Sequence, residues 1–381
     1  MNNLEPNTGV DHVTPAISSS GSNPQSSVVN PKGLTKPDED IKGLIEDHIL
    51  PKLDPEFLQY FSKHHVPAPE LDISIEQVRA HPEAYQPPCA LDTSEYPRVS
   101  NRSFVSQDNT CIPVRVYHPD PAKHGPGPYP AHLNFHGESP CGGFVLGNLD
   151  TEGSLCLSMR EAGVVVVDVA YRLCPEIIWG KCIEDAWDAL NWVRHSASAL
   201  LVDPGSISIG GISAGGHICL VLQHRARDAG ISLKLCMASV TPATDALAYR
   251  YYTDSPFPSF REFYRGPVLP WKRIKYFGHM CMPQDKLHEL RRRWPDWWFA
   301  PLRAQNWDGL CDTLIRTAEV DPLRDEGEAY AMKLVAGGNK VTIKRYLGCP
   351  HTFMYLDSMK KKHQYDEDAV AALRVAHARG T

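Results

Sequence analysis

An α/β protein built on a doubly wound, mostly parallel sheet is predicted by three features of the chain. Short apolar runs with little alternation recur from Ala131 onward: "AHLNF", "GVVVVDVA", "SISIGG", "LKLCMASV", "DTLIRTAE" and "KVTIKRYL". Strands buried on both faces of a parallel sheet require runs of this type. Between them lie segments of helical period, such as "KCIEDAWDALNWVRHSA", which sets Ile183, Ala186, Trp187, Leu190 and Val193 on one stripe. With 381 residues, 42% of them hydrophobic, the chain can bury the large core that strand-helix-strand repetition implies.

The elements follow in chain order. Residues 1–36 are rich in Ser, Asn and Pro and poor in large apolar groups, so a disordered tail is expected there. Residues 37–94 are expected to form a helical N-terminal segment. Within it, "LDPEFLQYFSKHH" offers Asp54 as an N-cap, Pro55 at the first helical position and apolar Phe57, Leu58 and Phe61 behind them. A larger domain is expected over 95–381. It opens with "YPRVSNRSFVSQDNTCIPVRVYHP", which alternates apolar and polar residues around the turn signal Gln107-Asp108-Asn109, as a β-hairpin does. The Pro- and Gly-rich stretch from Pro119 to Pro130 reads as a surface loop. At about 250–300 an aromatic, proline-punctuated insertion, containing "RRRWPDWWFAP", is too long for an ordinary connection and suits a cover over a pocket.

Composition narrows the function. The formal net charge is −6 with both signs mixed along the chain, which leaves no basic face for a nucleic-acid backbone. The 11 cysteines are odd in number and lack C-x-x-C spacing, which fits buried thiols in a reducing compartment better than disulfides or a zinc site. The valine run from Val164 to Val167 is far too short for a membrane span, and the opening residues lack a signal-peptide core, so a cytoplasmic address is expected.

The chemistry centres on "GISAGG" at 211–216, a G-x-S-x-G pattern between a strand and a helix-compatible segment. Such a turn exposes the Ser213 hydroxyl and aims a helix N-terminus at an anionic intermediate. A serine nucleophile needs a base held by a carboxylate, and here Asp321 and His351 each follow a strand on the edge that carries Ser213. His217 and His224, on the helix behind the serine, read as packing or solvent residues. Asp245 also follows a strand and is equally suited to bracing a loop, while Asp325 and Glu328 read as a solvated helix face.

These motifs together resemble the hormone-sensitive lipase family of α/β-hydrolases, also called class IV carboxylesterases, and its fungal members in particular. "HG…GGFVLGN" is similar to the family's His-Gly-Gly-Gly-Phe loop and "DVAYRLCPE" to its Asp-Tyr-Arg-Leu-Ala-Pro-Glu segment. "GISAGG" matches its elbow, "DPLRDEG" its acid loop and "CPHTF" its base loop. The resemblance implies an α/β-hydrolase fold with a mostly parallel twisted sheet, helices on both faces and a helical cap formed by the N-terminal helices and the insertion. It implies a Ser213-Asp321-His351 triad, oxyanion donors at the backbone of Gly142, Gly143 and Ala214, and a loop anchored by His136 and Gly137. Here Glu138 to Cys141 interrupts the glycines, either bulging into solvent or displacing a donor, and Ile212 replaces the usual acidic residue.

The expected function is that of a serine carboxylesterase or lactonase acting on a modest-sized, largely apolar ester, with no metal and no cofactor. The expected partners are that small molecule and, at most, a second copy in a homodimer. Acyl transfer or ring closure on the same acyl-enzyme is the alternative, separable by product analysis. A non-catalytic small-molecule-binding protein is a third reading, weakened because no triad member is missing.

Overall fold

The computed structural model describes residues 44–64, 74–137 and 143–378. The tail expected over 1–36 and the stretch from Glu138 to Gly142 lie outside the described residues.

A 10-residue helix, α1 (Pro55–His64), opens after Asp54, whose Oδ1 accepts from the backbone N–H of Glu56 at 2.8 Å. It buries Phe57 and Phe61, as its periodicity predicts, and α2 (Ile75–Ala80), capped by Ser74, follows. The hairpin forms from β1 (Val99–Val105) and β2 (Cys111–Tyr117), antiparallel with Val99 opposite Tyr117. One expectation fails here. The stretch from Pro119 to Pro130 is not all loop: α3 (Pro121–His124) forms within it, and Tyr129 already belongs to β3 (Tyr129–Phe135). Asp120 caps that turn by accepting from Ala122 N at 3.1 Å, with Pro121 at the first helical position. This Asp-Pro pair works as Asp54-Pro55 does.

Then come α4 (Gly153–Arg160), β4 (Val165–Val169), α5 (Lys181–His195), the single turn α6 (Ala197–Leu200), β5 (Val202–Ile212) and α7 (Ala214–Asp228). After β6 (Leu235–Ser239) the insertion supplies α8 (Pro258–Glu262), α9 (Trp271–Cys281), α10 (Leu287–Arg293) and α11 (Asp296–Phe299). The chain returns through β7 (Thr313–Val320), α12 (Arg324–Ala336), β8 (Val341–Pro350) and α13 (Lys360–Ala376). The strands make one sheet in the order β1-β2-β4-β3-β5-β6-β7-β8. β1 and β2 pair antiparallel, β2 joins β4 antiparallel, and all remaining pairs are parallel.

The unalternating apolar runs have a direct explanation in the packing. Val165, Val167 and Val169 face one hydrophobic cluster, which includes Ile183, Ala186 and Leu190 of α5 and Ile218 and Leu222 of α7. Val164 and Val166 face the other, with Leu155 and Met159 of α4 and Tyr365 and Leu373 of α13. Each valine of the run meets a helix layer, so both faces call for apolar side chains, and a polar residue among the strands such as Asp168 needs a partner, here Asn134 Nδ2 at 2.9 Å.

Register then gathers the strand ends. Phe135 pairs with Gly211, Ile212 with Ser239, and Val320 with Pro350. The residues that immediately follow, His136, Ser213, Asp321 and His351, therefore emerge together at the carboxyl edge of the sheet.

Candidate active site

Ser213 stands at φ 51° and ψ −111°, left-handed backbone that a non-glycine residue adopts only when its surroundings hold it there. Its N–H donates to the Ser239 carbonyl at 2.8 Å, and its carbonyl accepts from His217 N at 2.9 Å. The glycines around it are required by space. A Cβ on Gly211 would lie 2.4 Å from the Gly215 carbonyl carbon, and one on Gly215 would lie 1.8 Å from the Phe135 oxygen. The turn between β5 and α7 closes only without those side chains, and it lifts the serine hydroxyl clear of the sheet.

His351 Nε2 is 3.1 Å from Ser213 Oγ, and its Nδ1 is 2.8 Å from Asp321 Oδ2. The other oxygen of Asp321 accepts from Leu323 N at 3.0 Å. The side chains of His351 and Asp321 are 1% and 0% exposed, so this chain of hydrogen bonds is shielded from competing water. With Nδ1–H donating to the carboxylate, Nε2 is the ring's acceptor and faces the hydroxyl proton.

The remaining candidates lie elsewhere. His224 is buried, with Nε2 2.9 Å from the Tyr330 hydroxyl. His217 is buried between two carbonyls, Nδ1 at 3.1 Å from Pro242 and Nε2 at 2.7 Å from Trp298. Asp325 and Glu328 are not on a solvated face, contrary to expectation. Asp325 accepts from Ser259 N at 2.7 Å, and Glu328 accepts from Thr317 Oγ1 at 2.9 Å and pairs with Arg345, so both tie α12 to its neighbours.

Beneath the glycine loop sits a polar network that the sequence motifs did not expose. Glu152, 1% exposed, accepts through Oε1 from Gly137 N and the Tyr355 hydroxyl, each at 2.7 Å, and through Oε2 from Asn134 Nδ2 at 2.9 Å. Asn134 also donates to Asp168 Oδ1 at 2.9 Å. Burial pushes both carboxyls upward from the ordinary range, Asp168 strongly, while the hydrogen bonds from Asn134 oppose it. His136 stacks on Tyr171 with ring centroids 4.4 Å apart, and the Tyr171 hydroxyl donates to the His136 carbonyl at 2.8 Å. Burial lowers the His136 imidazole to about 4, so the ring is neutral and its Nδ1–H donates to the Gly137 carbonyl at 3.0 Å. Gly147 approaches so closely that a Cβ there would be 2.4 Å from His136 Nδ1. His136 and Gly137 are thus fixed from several sides. Of the three expected backbone donors, Gly143 and Ala214 lie at the serine, with a Cβ on Gly143 meeting that of Ala214 at 3.1 Å. Gly142 is outside the described residues.

A cavity of about 130 Å³ opens beside Ser213, walled by Phe144, Trp179, Leu247, Leu269, Phe277 and Met282 among others. Trp294, Trp297 and Trp298 are not among its lining residues; they pack in the first hydrophobic cluster. Trp294 closes on Gly180, where a Cβ would lie 2.6 Å from the indole, and donates from Nε1 to Glu184 at 3.1 Å. Trp294→Ala is therefore expected to cost about 3–5 kcal/mol in urea unfolding while the folded protein keeps covalent labelling at Ser213. Loss of labelling at unchanged stability would instead give the indole a direct part in the site.

The wall beside Asp321 carries a second carboxyl. Glu326, 1% exposed, accepts from Ala243 N at 2.6 Å, from Thr244 N at 3.1 Å and from Thr244 Oγ1 at 2.8 Å. Burial raises it from 4.5 to about 7, with the Asp321 charge adding and the three hydrogen bonds opposing. The folded state then holds this proton more tightly than the unfolded chain does. The contribution to stability is full below 4.5 and is lost as pH rises through about 7. Glu326→Gln keeps the shape without the titration. Between about pH 5 and pH 8, its unfolding free energy should gain about 1–3 kcal/mol relative to the wild type. A difference independent of pH would show that Glu326 stays ionised throughout.

Comparison with known proteins places these features in context. Residues 132–355 match the family described as the alpha/beta hydrolase fold. The chain is similar to an AB hydrolase superfamily protein of Schizosaccharomyces pombe, 35% identical over 274 residues, 70% of this chain and 76% of that protein. It is also similar to the ethyl acetate hydrolase of Pseudomonas putida, 31% identical over 268 residues, 68% of this chain and 77% of the relative. Among solved structures, a thermostable esterase from Pseudomonas putida superposes with a TM-score of 0.72 at 26% identity, covering 87% of this chain and 99% of that one.

Proposed function

The chain belongs to the alpha/beta hydrolase fold family, and from that premise we propose that it is a serine carboxylesterase acting through an acyl-enzyme on Ser213. The observation that carries the reading is the buried hydrogen-bond chain from Ser213 through His351 to Asp321.

Ser213 Oγ attacks the ester carbonyl carbon as its proton passes to His351 Nε2, and Asp321 stabilises the imidazolium through Nδ1–H. The carbonyl oxygen becomes an oxyanion facing the N–H groups of Gly143 and Ala214 and the N-terminal end of the 15-residue helix α7, with Gly142 the further donor that the family resemblance implies. Collapse breaks the bond to the alkoxy group, which leaves as alcohol with the proton from Nε2. Water then attacks the acyl-enzyme, giving its proton to Nε2, and the second collapse releases the acid and returns that proton to Ser213. Every transfer uses the one imidazole, and the sequence needs no metal and no cofactor.

The apolar lining beside Ser213 favours a modest-sized, largely apolar ester or lactone as substrate. Most of the cysteines among the described residues are buried within the fold and few are exposed, in keeping with a reducing compartment, the cytoplasm. The test is active-site titration with a fluorophosphonate, followed by product analysis on a series of nitrophenyl esters. Stoichiometric labelling and release of free acid are expected. Acyl groups recovered on an added alcohol or amine in preference to water would make the protein a transferase, and absence of labelling would remove the reading.

A further inference from the structure

Three loops of the active site meet at one buried carboxylate. Gly137 opens the glycine loop, which runs on to the donor Gly143, and its N–H donates to Glu152 Oε1 at 2.7 Å. Because Glu152 stands after the loop, at the N-cap of α4, this bond closes the segment from 137 to 152 into a ring. The base loop arrives from the other side. His351 is followed by Thr352 at φ 54° and by a single turn, Phe353–Tyr355, and the Tyr355 hydroxyl donates to the same oxygen at 2.7 Å. The serine turn is the third: a Cβ on Gly137 would lie 2.5 Å from the carbonyl oxygen of Ile212, the residue before Ser213, and 2.8 Å from the Tyr355 hydroxyl. Asn134 Nδ2, near the end of β3, donates to Glu152 Oε2 at 2.9 Å.

This inference rests on the esterase reading and deepens it: we propose that Glu152 is a positioning residue whose carboxylate holds the oxyanion-donor loop and the base loop in register with each other around Ser213. The three partners explain why the residue is an acid. Each of them donates, a set that a carboxylate accepts through its two oxygens and a carboxamide cannot. A glutamine that kept Oε1 toward Gly137 and Tyr355 would turn its N–H groups toward those of Asn134, donor against donor. Flipped, it would present donors to both loops. Burial works against the ionised form, while the hydrogen bonds from Tyr355, Asn134 and Gly137 and the charge of Arg316 favour it. Gly137 and Tyr355 are bound to one atom, so a shift there moves the oxyanion donors relative to His351, and misplacement of that kind slows the chemical step. None of Glu152, Asn134 and Tyr355 is among the described residues that line the cavity beside Ser213, so kcat and not KM carries the effect.

The experiment measures kcat and KM on a nitrophenyl ester, per site titrated to completion with a fluorophosphonate, in Glu152→Gln, Asn134→Asp, the two combined, and Tyr355→Phe. In Glu152→Gln, and in Asn134→Asp, which sets carboxylate against carboxylate, kcat should fall by about 10- to 100-fold with KM within about 3-fold of the wild type. The combined variant exchanges donor and acceptor. Its new amide donates to its new carboxylate, whose other oxygen faces Asp168, a carboxyl that burial pushes well above its ordinary range and that brings a proton of its own. Its kcat should therefore recover to within about 5-fold of the wild type. Tyr355→Phe removes a single hydroxyl and should lower kcat by about 10-fold at unchanged KM. A network that only stabilises the fold would reduce the titratable fraction or the urea midpoint and leave kcat per site unchanged. That result in either Glu152→Gln or Tyr355→Phe would overturn the inference and leave the esterase reading standing, and Tyr355→Phe decides alone if Glu152→Gln does not fold. A combined variant no faster than Glu152→Gln would also overturn it. A wild type that neither labels nor turns over any ester would remove the esterase reading, and this inference with it.

Discussion

Replacement of Ser213 by alanine is expected to abolish fluorophosphonate labelling and to lower ester turnover by about 10⁴-fold or more. The hydroxyl is the only atom removed, and the left-handed backbone at that position is held by the Ser239 carbonyl and by the absence of side chains on Gly211 and Gly215. Alanine adopts the same conformation at similar strain, so the variant should unfold at the wild-type denaturant concentration. Among the described residues, Ser213 is the serine that His351 Nε2 reaches by a hydrogen bond. Labelling retained in Ser213→Ala would mean that the nucleophile lies elsewhere and that the chain from Ser213 to Asp321 is structural.

Loss of the base should be as damaging as loss of the nucleophile, whereas loss of the acid should be severe but milder. In His351→Ala no group remains to take the serine proton or to protonate the leaving alcohol, and an effect comparable to that of Ser213→Ala is expected. In Asp321→Asn the ring remains and the loop keeps its shape through the acceptor that faces Leu323 N. The new amide presents a donor to Nδ1, which shifts the ring toward the tautomer with its proton on Nε2, pointing at the hydroxyl it should deprotonate. Turnover and the rate of fluorophosphonate labelling, measured together on variants with wild-type unfolding transitions, separate these cases. If Asp321→Asn is indistinguishable from wild type, the carboxylate only braces the loop.

The strands, their mostly parallel pairing and the places of Ser213, Asp321 and His351 after strands could be read from the chain because each leaves a local mark. A buried strand is a run such as Val164 to Val167, the elbow is a set of glycines forced by contact distances, and the acid and base follow strands whose register is fixed by burial. Glu152 left no such mark. It stands on the N-terminal side of α4, where a glutamate is ordinary, and acquires its role only when Asn134 and Gly137, at the end of β3, and Tyr355, after β8, arrive from two other segments. Glu326 was similarly hidden between Asp325 and Glu328, since helix periodicity alone does not tell which of three clustered acids points inward. The burial pattern of α12 does, with Glu326, Gly327, Tyr330 and Leu334 inside. The helical turn at Pro121 has the same Asp-Pro start as α1, set in a stretch whose prolines and glycines otherwise signal loop.

The Glu152 contacts bear on when the protein first becomes an enzyme. Gly137 and Tyr355 share one carboxylate oxygen, although the tyrosine lies 203 positions along the chain from Glu152. While the polypeptide is being made, the glycine loop and Glu152 leave the ribosome long before β8 and the segment after it. Domains take shape from the N-terminus as synthesis proceeds at about 5–20 residues per second. Until Tyr355 has docked, Glu152 lacks one of its three donors and the base loop has no seat. A nascent chain stopped before β8 is complete also lacks His351, so the hydrogen-bond chain that begins at Ser213 cannot yet form.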